Sequence, residues 1–296
     1  MTALDKIKEV SALLESKGIE NAAKEAETFI TETLQIDASR LYAESLGLSE
    51  DEARQIDALV SRRAQREPLQ YILGHVEFYG LKINVGKGVL IPRPETELLA
   101  EEVIKAISNQ LLAISEKKIS SCCQLNILDL CTGSGCLALA LAKNFPDAKV
   151  IGTDISAPAI KYARENAKLN NINNATFFKG SLYEPLNQLI SAMPLKFDIV
   201  VSNPPYIRSN DIFDLEPEVS KWEPKNALDG GEDGLRYYRD ILKDARKYLM
   251  PGGSIFLEVG EGQACEVSEI AAGNFFRRIS VIKDYAGIER IVVIVS

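Results

Sequence analysis

The sequence predicts an α/β protein, in which a helical N-terminal region precedes a doubly wound parallel sheet. From residue 125 onward, short apolar strands alternate with amphipathic helices, which is typical of strands joined by crossover helices. Before about residue 70, apolar residues recur only at helical spacing, so we expect no strand there. The chain has 296 residues, which is enough for one large domain or two modest ones.

The N-terminal region predicts a small helical bundle. Ser49 and Glu52 form a capping-box pattern immediately before a helical repeat of apolar residues. Two earlier stretches repeat at the same spacing and include Val10, Leu14 and Phe29. The structural role of such a bundle is packing within the protein. Its functional role would be to hold a partner molecule.

Residues 76–91 change the apolar period to two, with glycines at turn points, and therefore predict a β-hairpin. Pro92 and Pro94 then end the strand, and Thr96 is expected to cap the helix that follows. We therefore divide the chain into a helical domain (1–73), a β-hairpin linker (74–94) and an α/β domain (95–296).

The α/β domain contains five predicted strands, at 125–130, 149–154, 175–180, 197–203 and 253–259. Helices are expected after the first two of these strands, with Ser156 as the N-cap of the second helix, and at 235–249. Two further strands are predicted in the tail, at 279–285 and 290–295, joined by a turn at Gly287. They are close enough in sequence to make an antiparallel hairpin at one edge of the sheet.

Charge and composition exclude several classes of protein. The chain has 34 Lys and Arg against 42 Asp and Glu, a net charge of -8, which argues against a duplex binder that relies on bulk charge. No apolar run approaches the length of a membrane span, and the amphipathic, acid-containing N-terminus is unlike a signal peptide. The single histidine argues against a histidine triad and against a multi-histidine metal site, so we expect no metal.

The five cysteines form no C-x-x-C pair and no even framework. This pattern predicts reduced thiols in a cytoplasmic protein rather than disulfides or a zinc site. Cys122 and Cys123 fall in a polar connector, where we expect no specific role.

A glycine-rich loop follows the first strand of the α/β domain and opens a helix. Residues 129–135 read Asp-Leu-Cys-Thr-Gly-Ser-Gly. Glycines at such a place allow backbone N–H groups to approach a ligand closely at a helix N-terminus. The G-x-G-x-x-A spacing is shared by dinucleotide-binding and nucleoside-binding folds, so the loop alone does not separate them.

Two carboxylates narrow the choice of ligand. Asp154 ends the second strand, where a carboxylate binds both ribose hydroxyls and opposes a phosphorylated ribose. Asp129 lies in the glycine loop, where it would repel a pyrophosphate and attract an α-ammonium group. S-adenosyl-L-methionine carries a ribose, an adenine and an ammonium group but no phosphate. The two acids together therefore favour this methyl donor as the cofactor.

The predicted strand at 197–202 runs directly into Asn203, Pro204, Pro205 and Tyr206. The plain interpretation of this segment is a rigid turn with an aromatic lid. Its place at the carboxyl edge of the sheet, where α/β folds bind ligands, favours a functional interpretation.

The residue types of this loop suit a planar NH2 group. An amide or exocyclic amino nitrogen is a poor nucleophile because its lone pair is delocalised. The Asn203 side-chain oxygen and the Pro204 carbonyl can each accept one of its N–H groups, which favours a pyramidal nitrogen and stabilises the positive charge that develops there. Tyr206 can stack on the planar group. No histidine is needed, because an N-protonated amide loses its proton to water.

These residues are similar to those of class I, seven-strand methyltransferases that act on planar NH2 groups. Further segments resemble the release factor glutamine methyltransferases, and with them the resemblance spans nearly the whole chain: 67–81, 88–99, 223–235, 249–263 and 284–290. The resemblance implies a seven-stranded Rossmann-like class I methyltransferase sheet, with an N-terminal helical domain for substrate recognition.

The resemblance also implies an activity, namely methyl transfer from S-adenosyl-L-methionine to the side-chain N5 of the glutamine in the Gly-Gly-Gln loop of class 1 peptide chain release factors. It implies that Asn203, Pro204, Pro205 and Tyr206 bind the glutamine and catalyse the transfer. The implied cofactor contacts are Asp129, Cys131, Thr132, Gly133, Ser134, Gly135, Asp154, Ile155, Ser181, Leu182 and Asn203. We expect a cytoplasmic monomer that contacts release factors but neither nucleic acid nor membrane.

The chain departs from the family pattern at two places. Cys131 stands where the family often has the first glycine of the loop, so the backbone there has less freedom. Ser181 and Leu182 stand where the family offers an acid and an aromatic residue to the adenine. Leu182 can still make an apolar contact, whereas the hydrogen bond from an acid is lost.

Three alternatives stay open at this point. An adenine-N6 methyltransferase acting on nucleic acid would use the same loop, but the acidic charge and the lack of a further domain to flip a base argue against it. A ribosomal-protein glutamine methyltransferase would keep the chemistry and change the substrate. A cofactor-binding scaffold is the alternative without catalysis, and the intact 203–206 loop argues against it.

Overall fold

The structure is a computed structural model that describes residues 1–116, 124–188 and 195–296. Cys122 and Cys123 lie outside these residues. Within the described part of the chain, no helix is both long enough and apolar enough to cross a membrane.

The predicted helices and strands are found in the predicted order, and the described residues contain further helices that the sequence does not predict. The helices are α1 (Ala3–Ser16), α2 (Ala22–Leu34), α3 (Ala38–Ala43), α4 (Glu50–Arg63), α5 (Leu69–Leu73), α6 (Pro94–Glu116), α7 (Cys136–Asn144), α8 (Ala157–Leu169), α9 (Pro217–Ser220), α10 (Arg236–Tyr248) and α11 (Ala264–Gly273). The strands are β1 (His75–Phe78), β2 (Leu81–Asn84), β3 (Asn126–Leu130), β4 (Lys149–Asp154), β5 (Ala175–Lys179), β6 (Phe197–Ser202), β7 (Leu249–Glu258), β8 (Arg278–Lys283) and β9 (Glu289–Val295). The helices that the sequence does not predict are α3, α5, α9 and α11.

The described chain forms two compact units. The first comprises Met1–Gly74 together with Glu216–Trp222, and the second comprises His75–Leu215 and Glu223–Ser296. The chain therefore passes through the helical unit twice. The second passage, which contains α9, is not anticipated by the division at 1–73, because a four-residue helix leaves no periodic pattern in the sequence.

The helical unit is built on an apolar core between its helices. Leu14, Phe29, Ile30 and Leu41 are completely buried in this core. The predicted capping box before α4 is confirmed, because the Ser49 hydroxyl accepts from the Glu52 backbone N–H while the Glu52 carboxylate accepts from the Ser49 N–H. Apolar burial and satisfied helix ends thus account for the bundle.

An ion-pair network ties Glu216–Trp222 to the helices of this unit. The buried Arg63 donates to Glu25 at 2.6 Å and to Glu218 at 2.8 Å. Arg66 donates to the same Glu218 at 2.7 Å. The two partner carboxylates of Arg63 are themselves only 14% and 17% exposed, so solvent screens these pairs weakly.

We expect Arg63→Ala to lower the free energy of unfolding of the helical unit by about 3 kcal/mol, because it leaves the nearly buried Glu25 without its partner and Glu218 with Arg66 alone. Arg62→Ala is the matched control on the same helix, since Arg62 is 45% exposed and pairs with Glu67. Its loss should be within about 0.5 kcal/mol. Urea unfolding followed by far-ultraviolet circular dichroism measures both variants, and equal losses would contradict the assignment of the network as stabilising.

Among the described residues, seven strands form the main sheet in the order β5-β4-β3-β6-β7-β9-β8. The strands from β5 to β7 are parallel, whereas β9 runs antiparallel to both β7 and β8. The predicted doubly wound sheet and its antiparallel edge hairpin are confirmed. Because strand order reverses beside β3, the carboxyl ends of β3, β4 and β6 border a crevice where such folds bind ligands.

The second unit begins with the small antiparallel sheet of β1 and β2, as the period-two pattern predicts. Tyr79 and Gly80 connect the strands, and both have positive φ values, of 47° and 68°. Two residues of this conformation make the turn whose twist matches a hairpin. The hairpin is shorter than the predicted stretch 76–91, and the residues that follow Asn84 lead to the site described next.

Candidate functional site

The glycine loop after β3 has the backbone conformation that its glycines permit. Gly133 and Gly135 have φ values of +56° and +80°. A Cβ atom at Gly135 would lie 3.0 Å from the Cβ of Ala163, so a side chain there would collide with α8. A Cβ atom at Gly133 would meet nothing within 4 Å. Gly135 therefore permits close packing, whereas Gly133 exposes backbone to the crevice.

Cys131 shares the left-handed conformation of this loop, with a φ of +58°. This conformation is unfavourable for residues other than glycine, by roughly 1–2 kcal/mol. Burial raises the pKa of the Cys131 thiol well above its usual value, and the neighbouring Asp154 and Asp129 raise it further. The thiol is therefore neutral, and Cys131 is one of the residues that line the crevice.

Asp154 fastens the glycine loop to the end of β4. One of its carboxylate oxygens accepts from the Gly133 N–H at 2.9 Å, and the other accepts from the Ser156 N–H at 2.8 Å. Burial raises the pKa of this carboxyl, and the two backbone N–H groups oppose the rise. Each oxygen keeps a further lone pair, so the carboxylate can still accept from two ligand hydroxyls.

Asp129 is almost completely buried at the end of β3, with 1% of its surface exposed. It accepts from the Thr132 hydroxyl at 2.5 Å. Burial raises the pKa of Asp129 to about 7, against the lowering effect of the hydrogen bonds from Thr132 and from the Ala138 backbone. A cation bound beside it would favour the ionised form.

The Asn203 side chain is held by a hydrogen-bonded chain of three residues. Asn203 Nδ2 donates to Thr96 Oγ1 at 2.9 Å, and Thr96 Oγ1 donates to Glu258 Oε2 at 2.8 Å. The amide nitrogen is thus engaged within the protein, which leaves the Oδ1 acceptor to a ligand. Burial raises the pKa of Glu258 to about 7, with Thr96 opposing the rise.

The prediction that Thr96 caps a helix is wrong. The helix α6 begins two residues earlier, at Pro94, because proline is well suited to the first turn of a helix. Thr96 therefore lies inside the first turn, and its hydroxyl is free to bond Glu258 and Asn203.

The backbone of the 203–206 loop is held by a side-chain hydrogen bond from Gln263 and by close packing of two glycines. Gln263 Nε2 donates to the Tyr206 carbonyl at 2.9 Å, and Gln263 Oε1 accepts from the Gly260 N–H at 3.0 Å. A Cβ atom at Gly230 would lie 2.8 Å from the Tyr206 Cα, and one at Gly234 would lie 2.5 Å from the Tyr206 carbonyl oxygen. The glycines at 230 and 234 are therefore required by close backbone packing on this loop.

A single crevice of the second unit brings most of the predicted site residues together. Those that line it are Asp129, Cys131, Thr132, Gly133, Ser134, Asp154, Ile155, Ser181, Leu182, Asn203 and Pro205. Gly135, Pro204 and Tyr206 are not part of this lining. Gly135 packs against α8, Pro204 is buried, and Tyr206 is half-buried next to the crevice-lining Pro205.

Further residues line the crevice that were not among the predicted site residues. They are Gly88, Val89, Leu90, Pro92, Arg93, Thr96, Cys136, Leu137, Ser156, Ala159, Pro224, Asn226, Ala227 and Tyr237. Among them, the partly exposed Arg93 forms an ion pair with the buried Glu223 at 2.6 Å. The sequence holds no local signal for this pair, because its members lie 130 residues apart.

Comparison with known proteins identifies the family. Residues 5–74 match the family model described as PrmC N-terminal domain, and residues 123–271 match a methyltransferase domain. The release factor glutamine methyltransferase of Thermodesulfovibrio yellowstonii is 44% identical over 294 residues, covering 99% of this chain and 98% of the relative. The enzyme of the same name from Geobacter sulfurreducens is 41% identical over 280 residues, covering 94% and 91%.

Solved structures show the same fold at low identity. The human methyltransferase 10 domain containing protein is 16% identical with a TM-score of 0.52, covering 73% of this chain and 88% of that one. A methyltransferase from Pyrococcus furiosus is 19% identical with a TM-score of 0.50, covering 82% and 97%. The predicted class I methyltransferase fold is confirmed, and the identity to curated relatives over the full chain shows that the protein belongs to the release factor glutamine methyltransferases.

Proposed function

We propose that this enzyme transfers the methyl group of S-adenosyl-L-methionine to the side-chain N5 of the glutamine in the Gly-Gly-Gln loop of class 1 peptide chain release factors. S-adenosyl-L-homocysteine is the product. The observation that carries the proposal is the Asn203 side chain, whose nitrogen is engaged by Thr96 while its oxygen is left for a ligand of the same crevice that Asp129 and Asp154 line. Full-length similarity to enzymes of this name supports the choice of substrate.

The charges of the crevice suit S-adenosyl-L-methionine. The lining contains the buried carboxylate of Asp129, the half-buried carboxylate of Asp154 and one arginine, Arg93, which is already paired with Glu223. A pyrophosphate would meet uncompensated negative charge there, whereas an ammonium group would be attracted. When bound, the methyl donor supplies an activated methyl group.

We assign the cofactor contacts within the crevice by chemistry. Asp154 would accept from the ribose hydroxyls, and Asp129 would pair with the ammonium group. Ile155, Ser181 and Leu182 would flank the adenine, with Leu182 as the apolar contact. Backbone of the loop at 131–135 would approach the cofactor where Gly133 leaves space.

The chain's own residues would prepare the glutamine amide for attack. Asn203 Oδ1 and the Pro204 carbonyl would accept one N–H group each, which favours the pyramidal nitrogen over the planar ground state. Proline at 204 and 205 fixes the backbone, so these acceptors need little reorganisation. Tyr206 would stack on the amide plane, and burial raises the pKa of its hydroxyl to about 12, so the phenol stays neutral. The proton of the methylated amide leaves to water.

The two substrate alternatives give distinct outcomes in one assay. Labelled S-adenosyl-L-methionine would be offered with a purified release factor, its Gly-Gly-Ala loop variant, a ribosomal protein fraction and duplex DNA. We expect label on the release factor alone and none on the loop variant. Label on DNA without label on protein would establish an adenine-N6 enzyme instead. Label confined to the ribosomal fraction would keep the chemistry and replace the substrate.

We propose that residues 1–73 recognise the folded substrate, that 74–94 act as a linker and that 95–296 carry out catalysis. A short glutamine loop alone offers little area for binding, so a large protein substrate needs a further contact surface. The release factor as substrate and the pattern of reduced cysteines support action in the cytoplasm. We further propose that the enzyme acts as a monomer, without direct contact to nucleic acid or membrane.

We expect deletion of residues 1–70 to lower kcat/KM for an intact release factor by about 30-fold or more, the scale of losing one interface hot spot. The Kd for S-adenosyl-L-methionine should stay within about twofold, because the crevice belongs to the second unit. Isothermal titration of the truncated protein provides both the Kd and a test of its folding. Equal loss of cofactor binding and transfer would contradict the assignment of this region to substrate recognition.

A further inference from the structure

The hydrogen-bonded chain behind Asn203 has a fixed direction. A carboxylate only accepts hydrogen bonds, and the Thr96 hydroxyl has a single hydrogen, which it donates to Glu258 at 2.8 Å. Thr96 Oγ1 can then only accept, and it accepts from Asn203 Nδ2 at 2.9 Å. A flipped Asn203 amide would place two acceptor oxygens against each other.

We propose that Thr96 and Glu258 are positioning residues that fix the Asn203 amide with Oδ1 toward the substrate. This inference rests on the proposed function, because it needs Asn203 to accept from an NH2 group. It assigns to Thr96 and Glu258 a part in the reaction although neither is required to touch the glutamine.

Both residues are held on rigid elements. Thr96 lies in the first turn of α6 and is 3% exposed, and Glu258 ends β7 and is 2% exposed. The Glu258 backbone pairs with Ile291 of β9, and its carbonyl accepts from the Tyr238 hydroxyl at 2.9 Å. Thr96 and Glu258 are therefore held in place and do not follow a rotated Asn203 side chain. A packed support of this kind holds a reacting group in one geometry.

The surroundings of Glu258 allow it to be ionised when the enzyme works. Arg93 and Arg290 favour its charged form, and Glu95 opposes it. Within the described part of the chain, the titratable groups that interact with it include Arg93, Glu95, Cys136, Tyr206, Tyr238 and Arg290. The pKa of Glu258 is about 7, so the carboxylate predominates above that pH. Below it, a protonated Glu258 could donate to Thr96, which would free the Thr96 hydrogen and remove the bias on Asn203.

A pair of substitutions at Thr96 separates the hydroxyl from the packing. Thr96→Val keeps the shape and removes the hydroxyl, and we expect kcat on a release factor to fall roughly 10- to 100-fold. Thr96→Ser keeps the hydroxyl and should stay within about threefold of the wild type. Both variants should bind S-adenosyl-L-homocysteine as the wild type does. Thr96→Ser should also melt as the wild type does, whereas Thr96→Val should melt at a lower temperature, because Glu258 and the Asn203 nitrogen lose a buried hydrogen-bond partner.

Glu258→Gln is a nearly isosteric substitution that provides a second test. A glutamine can either accept from Thr96 or donate to it, so the chain loses its fixed direction. With saturating methyl donor, the wild-type kcat should fall as pH drops through about 7, in line with the pKa of Glu258. In Glu258→Gln this acidic limb should disappear, and kcat at pH 8 should be lower than that of the wild type.

The outcomes distinguish this inference from the proposed function. A wild-type enzyme that leaves the release factor unlabelled would overturn the proposed function itself. An active wild type with an equally active Thr96→Val variant would overturn only the positioning role. So would a Thr96→Ser variant as slow as Thr96→Val, or a loss of kcat in Thr96→Val accompanied by weaker S-adenosyl-L-homocysteine binding. An unchanged acidic limb in Glu258→Gln would equally contradict it.

Discussion

Asn203→Ala is expected to slow methyl transfer by about 100- to 1,000-fold, which is the cost of removing one preorganised hydrogen-bonding group from a transition state. The Asn203 side-chain oxygen is the acceptor that pulls the amide nitrogen out of its planar state, and an alanine offers no replacement. Thr96 would remain bonded to Glu258, so the surrounding structure should persist. Single-turnover transfer of labelled methyl to a release factor measures the effect.

The matched control for this variant is Asn210→Ala. Asn210 is exposed, lies in the same connecting segment as the 203–206 loop and makes no side-chain cap at the short helix that follows it. We expect it to transfer methyl at the wild-type rate. Asn203→Ala should also keep its Kd for S-adenosyl-L-methionine within about threefold, since Asp129 and Asp154 remain. Normal transfer by Asn203→Ala would refute the role assigned to this loop. A variant that binds the cofactor but no longer transfers methyl would reject the scaffold alternative.

Asp129→Asn is expected to raise the Kd for S-adenosyl-L-methionine about 100-fold, because a buried carboxylate that pairs with an ammonium group is lost. The wild-type affinity should itself weaken as pH falls through about 7, where Asp129 takes up a proton and loses its charge. The variant should lack this dependence. Titration calorimetry between pH 5.5 and 8.5, a range chosen to span roughly that pKa, measures both effects.

Two controls sharpen this experiment. Asp147→Asn changes an exposed aspartate that follows α7, and it should leave the affinity unchanged. Methylthioadenosine has the ribose and adenine but no amino acid end, so it should bind the wild type and Asp129→Asn equally well. Equal weakening of both ligands by Asp129→Asn would show that Asp129 supports the loop rather than the ammonium group.

The same substitution should stabilise the ligand-free enzyme above pH 7. Burial holds the pKa of Asp129 near 7 in the folded chain, against 3.8 as its ordinary value. The folded state therefore binds this proton more tightly than the unfolded state, so the free energy of unfolding falls as pH rises between the two values. Asparagine removes that loss. We expect a higher melting temperature for Asp129→Asn at pH 8 and little change near pH 4.

Local sequence patterns were sufficient to predict those site residues that lie at the end of a strand or in the loop directly after it. Asp154 and Ser156 are predicted at a strand end and a helix cap, and both are found there. The strand β7 is predicted less well, because Pro251 and Gly252 indicate a turn. The structure instead continues the strand through them, with a shift of pairing register between Phe197 and Ile199. Pairing with a neighbouring strand overrides local propensity there.

Contacts between distant parts of the chain could not be predicted in this way. Thr96 lies 107 residues from Asn203 and 162 from Glu258, so no periodicity or motif joins them. Its threonine-before-helix pattern even favours a different role, that of an N-cap. The passage of Glu216–Trp222 through the helical unit depends likewise on ion pairs to Arg63 and Arg66 that span about 150 residues.

Transfer to one glutamine nitrogen can be measured by tandem mass spectrometry of a release factor after reaction with deuterated-methyl S-adenosyl-L-methionine. We expect a single labelled methyl group in the peptide that contains Gly-Gly-Gln, with fragment ions that place it on the glutamine side chain. The Asn203→Ala enzyme should leave the same peptide unlabelled. A labelled methyl group on any other residue, or a labelled Gly-Gly-Gln peptide from Asn203→Ala in equal yield, would contradict the account.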